Sequence, residues 1–210
     1  MPDRWSIDWN RDPRDRRRLA ERVLAQLLQH EHVASADLFG SLASPEPDGY
    51  PADALSAIDI GVTLRSGTDR DLVEALEPML AELGHVLLYN IVVSDGSFTG
   101  SYVFEGYSPF WHVDVVCRAP RHVPGEDLLD RHRSERAFGA WLSAAKRFAR
   151  AGEFLGYFLA LAPDADAAAH HQPARLFGAL LEQWHRESHD DLRLEIGRSV
   201  VAHLFSPERG

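Results

Sequence analysis

Cysteine is nearly missing from this chain. Cys117 stands alone among 210 residues, which excludes an internal disulfide and a zinc site built from several thiolates. A reducing, cytoplasmic setting is the expectation. Lysine is as scarce: of the 22 Lys+Arg residues only Lys146 is a lysine. Long apolar runs are absent, since no stretch reaches the roughly 20 residues of a membrane-spanning helix. The charged, proline-broken stretch 1–18 has no apolar segment of the secretory kind. No repeat of 20–50 residues and no Walker-type or dinucleotide-binding glycine pattern occurs. Basic charge is in deficit, with 32 Asp+Glu against 22 Lys+Arg and a formal net charge of −10. Such a surface repels a phosphate backbone unless its arginines are segregated, so nucleic acid is not an expected partner. A nucleotide whose charge a metal ion neutralises is not excluded.

What is present is an ordinary globular composition, with 45% hydrophobic and 26% charged residues, enough for a packed core. Asp12-Pro13 marks a helix start. Leu19, Val23, Leu24, Leu27 and Leu28 follow at helical spacing, predicting a helix over 13–30 with Arg14, Arg16, Arg17 and Arg18 on its solvated face. A strand over 33–39 ends in Gly40-Ser41, and a turn-rich loop over 44–51 follows. The stretch 56–64 alternates as a strand, with Ile58, Ile60 and Val62 on one face and Ala57, Asp59 and Gly61 on the other. Thr68 and Asp71 open a helix that Pro78 bends and Gly84 ends. Strands over 85–93, 98–104 and 111–117, the first two joined by Asp95-Gly96, predict an antiparallel meander. After Pro120 the chain reads as helices near 126–150, 152–162, 174–188 and 190–205. The expected architecture is α+β: a mixed or antiparallel sheet with flanking helices over 1–120, then a helical bundle over 121–210.

Two aspartates interrupt apolar strands: Asp59 in Ser-Ala-Ile-Asp-Ile-Gly-Val and Asp114 in Trp-His-Val-Asp-Val-Val-Cys. Aspartate is depleted in strands and an uncompensated buried carboxylate is costly. An arginine partner or an exposed strand end would be the structural compensation. If the strands are neighbours, about 4.8 Å apart, both carboxylates can instead reach one divalent ion, for which hard oxygen ligands favour Mg²⁺ or Mn²⁺. His112 shares a face with Asp114 and could orient it. His185 and His189 are one helical turn apart, but Arg186 stands where a His-Glu-x-x-His zinc motif needs glutamate.

Gly40-Ser41 after a hydrophobic strand, then Ser-x-Ile-Asp-Ile, then a distal apolar-Asp-apolar strand form a more specific combination. Over about residues 15–118 the chain resembles the nucleotidyltransferase superfamily to which DNA polymerase beta belongs. The nearest look is to its small bacterial branch of aminoglycoside nucleotidyltransferases and minimal nucleotidyltransferases of toxin–antitoxin pairs. The resemblance implies a nucleotidyltransferase-like sheet in which Gly40 and Ser41 grip a triphosphate and Lys146 reaches it from the helical lobe. Asp59 and Asp114 match two of the three metal-binding acids, and Asp114 would also accept the proton of the attacking hydroxyl. The implied reaction uses ATP or another nucleoside triphosphate with Mg²⁺ or Mn²⁺. It transfers the nucleoside monophosphate to a small-molecule hydroxyl; an acidic surface suits a cationic acceptor such as an aminoglycoside.

One departure matters. The family reads Ser-Asp-x-Asp where this chain reads Ser56-Ala57-Ile58-Asp59. Ala57 lies two residues before Asp59 and faces the same side, so the missing carboxylate is missing from the site itself. Two divalent ions about 4 Å apart repel by roughly 17 kcal/mol at an effective dielectric of 20, and one ligand fewer is left to offset that. Glu46, Asp48 or Asp53 from the loop are the candidate substitutes. A second function therefore stands beside the first: a catalytically inactive nucleotide-binding or protein-interaction, antitoxin-like member of the fold, with a homodimer or a toxin-like protein as partner.

Overall fold

Helix α1 (Pro13–Gln29) begins where Asp12 accepts the Arg14 backbone N–H at 2.9 Å, with Pro13 as its first residue. The computed structural model describes residues 5–43, 55–65, 69–94, 97–118, 130–151 and 173–205. Glu46, Asp48, Asp53, Thr68, the Asp95-Gly96 turn, the helix expected near 152–162 and the first residues of the one expected near 126–150 lie outside them. The chain divides into two compact units, Ser6–Arg133 and Met1–Trp5 with Ser134–Gly210.

The first unit is built on one mixed sheet. Its strands are β1 (Val33–Phe39), β2 (Ile58–Leu64), β3 (Val86–Ser94), β4 (Ser97–Phe104) and β5 (Val113–Arg118), in the order β1-β2-β5-β4-β3. The expected meander β3-β4-β5 is antiparallel, β1 pairs antiparallel with β2, and β2 and β5 run parallel. Helix α2 (Asp69–Ala81) contains Pro78 and stops short of Gly84, whose φ is +153°. Leu19, Val23 and Leu27 of α1 and Leu76 and Leu80 of α2 pack with Ile58, Ile60, Val62, Val113, Val115 and Cys117 in one core. Strand alternation then places Asp59 and Asp114 on the opposite face. In β3 the pairing passes from Leu88 opposite Tyr102 to Asn90 opposite Ser101. Tyr89 is the extra residue of this bulge, and such an insertion re-aims a side chain.

Arg16 corrects the sequence reading. It is not on the solvated face of α1: it is buried, Nη1 donates to the Ser56 carbonyl at 3.0 Å, and the guanidinium lies 5.3 Å from the centroid of the Trp111 ring. Arg14, Arg17 and Arg18 are exposed as expected. Arg16 ties α1 to the segments that lead into β2 and β5.

The second unit is helical: α3 (Arg133–Ala151), α4 (Pro173–Ser188) and α5 (Asp191–Leu204). Phe138 stacks on Trp141, which meets Phe177 edge-on. Two indole N–H groups are satisfied inside the unit, that of Trp141 by the Phe177 carbonyl and that of Trp184 by the Ser134 carbonyl. A Cβ at Gly197 would stand 2.6 Å from the Leu181 methyls, so glycine sets the close approach of α4 and α5. Lys146 is half-buried on α3. His185 pairs with Asp191 at 2.8 Å rather than with His189. Among the described residues no helix is long and apolar enough to cross a membrane.

Arg16→Met should destabilise the protein by roughly 2 kcal/mol, because the Ser56 carbonyl loses its buried donor. A lowered urea midpoint at unchanged slope would show it; an unchanged midpoint would refute the anchoring role.

Candidate functional site

The two intrusive aspartates are direct neighbours. In the parallel pairing of β2 and β5, Asp59 stands opposite Asp114, while on the other side of β5 Ser101 of β4 stands opposite Asp114. The condition on which a shared ion depended, adjacent strands with both acids on one face, is met. Sequence alternation decided the face; the crossover from β2 to β5 decided the partner.

Asp114 is held from two sides. The Ser101 hydroxyl donates to Asp114 Oδ1 at 2.5 Å. His112 is buried, with Nε2 3.4 Å from Asp114 Oδ2 and Nδ1 3.3 Å from the Pro109 carbonyl. The Ile58 N–H donates to the His112 carbonyl at 2.9 Å and ties the start of β2 to β5. His112 thus takes the place beside Asp114 that its position suggested. Tyr89 meets the His112 ring edge-on, with centroids 4.9 Å apart, and its phenol is hydrogen-bonded with Ser101. Burial, and then the negative charge of Asp114 and Asp59, hold this phenol well above the usual tyrosine range. Tyr89 therefore stays protonated and donates to Ser101, and Ser101 donates onward to Asp114.

Gly40 completes the site next to Asp59. Its φ is +66°, and a Cβ there would lie 2.5 Å from Asp59 Oδ2. Both the backbone and the space require glycine. Ser41 follows in a short 3-10 turn (Gly40–Leu42), whose Leu42 carbonyl accepts from Arg17 at 3.2 Å. Gly40 and Asp59 are therefore brought together as expected. Ala57 is buried just before β2, and its side chain carries no oxygen. Lys146 belongs to the helical unit, on α3.

Ser101 and Tyr89 are the residues that sequence reasoning missed. A serine in the apolar strand Ser-Phe-Thr-Gly-Ser-Tyr-Val-Phe is a weak signal, read only once β4 is known to lie beside β5. Nothing in the sequence marks the bulge that aims Tyr89.

The donor set that a divalent ion would find here is small. Two carboxylates share a face, beside a backbone cradle that a Cβ at Gly40 would fill. Mg²⁺ is commonly bound by one or two carboxylates plus substrate phosphates. Among the described residues no group of three or more His, Cys, Asp or Glu side chains could hold a metal ion. Compared with protein-family models and with curated protein sequences, the chain matches none of either.

Gly40→Ala should cost 2 kcal/mol or more, roughly, of which only about 1–2 kcal/mol is left-handed backbone strain. In an Asp59→Ala background the collision is gone and only the strain term should remain, measured as a double-mutant cycle by urea unfolding; additive losses would refute the contact. Tyr89 has a folded-state pKa above that of the unfolded chain. Its contribution is full below about pH 10 and is lost as pH rises, at about 1.4 kcal/mol per pH unit. Tyr89→Phe should remove that part of the alkaline slope; an unchanged slope would refute the burial argument.

Proposed function

We propose that this protein is nucleotidyltransferase-like. In this reading it binds a nucleoside triphosphate with one Mg²⁺ or Mn²⁺ against Asp59 and Asp114, and transfers the nucleoside monophosphate to the hydroxyl of a small molecule. The observation that carries the reading is the pairing of Asp59 with Asp114 on adjacent parallel strands, with Gly40 closed against Asp59. The ion, held by the two carboxylates, would neutralise the triphosphate charge. Gly40 lets the backbone approach the phosphates, and Ser41 offers them a hydroxyl and an N–H. Asp114 accepts the acceptor's proton at Oδ2, the oxygen not bonded to Ser101. The acceptor oxygen bonds to the α-phosphorus, the bond to the bridging oxygen breaks, and pyrophosphate leaves. Ser101 and Tyr89 fix the rotation of Asp114. A net charge of −10 favours a cationic acceptor, of which an aminoglycoside is one type, over nucleic acid.

Ala57 favours a second reading, nucleotide binding without transfer, with a protein partner as the functional target. The ligand set lacks the oxygen that a second ion would need.

Calorimetry with ATP should show binding in Mg²⁺ or Mn²⁺ that excess EDTA removes. No binding of any of the four nucleoside triphosphates would overturn both nucleotide readings. Among hydroxylated cationic acceptors, transfer by the wild type that falls at least about a hundredfold in Asp114→Asn would establish the first reading. Transfer by Ala57→Asp alone would establish the second.

A further inference from the structure

A second concave site lies on the other face of the sheet. Between α2 and the strands β3 and β4 is a half-open groove of about 710 Å³, within the range of small-molecule pockets. Its floor is apolar: Val86, Leu88, Ile91 and Phe98 all come from the face that packs on the helices. Asp59 and Asp114 point the other way, so the groove is separate from the acidic site.

Tyr102 is the unusual member of this floor. The residue is 2% exposed and lines the groove, and no side chain or backbone group among the described residues is hydrogen-bonded to its hydroxyl. A hydroxyl at the wall of a groove is left to pair with what enters it. Two observations locate it. A Cβ at Gly100 would stand 2.9 Å from the hydroxyl oxygen, so the phenol lies along β4 over Gly100, on the way to Phe98. The charge of Glu77, which stands at the groove on α2, raises the phenol's pKa after burial does. Tyr102 therefore offers a proton donor to the groove at every ordinary pH. Arg131 also borders the groove, one cation against the two carboxylates of Glu74 and Glu77.

We propose that this groove binds a small amphipathic molecule, its aliphatic or aromatic body on the Leu88–Ile91–Phe98 floor and an uncharged hydroxyl or carbonyl oxygen accepting from Tyr102. The head carries no negative charge, because Glu74 and Glu77 outnumber Arg131 at the groove and would repel it. The apolar floor supplies affinity through burial, and the single donor sets orientation. The site does not depend on the nucleotide reading, and a failure of either leaves the other standing.

The test is a titration of the whole protein, labelled with ¹³C-tyrosine, with 1-octanol and with octanoate as probes. Octanol should shift the Tyr102 resonance saturably, and octanoate should bind at least about tenfold more weakly. Tyr102→Phe, followed by the shifts of the remaining tyrosines and by calorimetry, should weaken octanol roughly fivefold. Ala81→Trp, placed on an exposed position at the mouth, should abolish binding. Melting curves of both variants separate lost binding from lost fold. The proposal is overturned if octanol gives no saturable shift, if octanoate binds as well as octanol, or if folded variants bind like wild type.

Discussion

Two like charges held opposite each other on adjacent strands are the constraint on which this sheet turns. Directly facing carboxylates destabilise a strand pair, so the alignment of Asp59 with Asp114 has to be enforced by something else. The enforcement comes from the opposite face. Ile58, Ile60 and Val62 of β2 and Val113, Val115 and Cys117 of β5 are all fully or almost fully buried in one core. A slip of either strand by one residue would turn its acid into that core and its apolar set outward. The apolar face thus fixes the register, and the register fixes the acids.

The local supports follow the same logic. Ser101 bonds one oxygen of Asp114 and His112 lies beside the other, while glycine at position 40 is what allows the chain to close against Asp59. Arg16 works further out, where it bonds the carbonyl just before β2 and lies over the ring just before β5. These residues come from positions scattered over some hundred residues of chain, yet each acts on the same few ångströms.

Much of the fold was legible because its signals are local. Asp12-Pro13 announced α1, and alternating apolar residues announced β1 and β2 and the faces of Asp59 and Asp114. The turn residues between β3 and β4 announced their antiparallel pairing. What was not legible depends on residues far apart in the chain. Arg16 looks like one more arginine on a charged helix, and only Ser56 and Trp111 make it a buried one. Ser101 has a role only because β5 inserts beside β4 in a given register. The bulge at Tyr89 leaves no mark in composition or period. β2 begins at Ile58 and not at 56, because the alternation of residue types starts ahead of the first ladder position.

The strand order also sets a sequence of events during synthesis. β1 with β2, and β3 with β4, are antiparallel pairs of neighbours along the chain, and each can form as soon as its own residues have left the ribosome. β5 is the last strand to emerge and takes the central place, between β2 and β4. Until Val113–Arg118 is available, the nascent protein consists of two separate strand pairs whose inner edges are open to wrong partners. The insertion of one six-residue strand closes both edges at once. Because that strand carries Asp114, the pair of acids comes into being in the same step that makes the sheet whole.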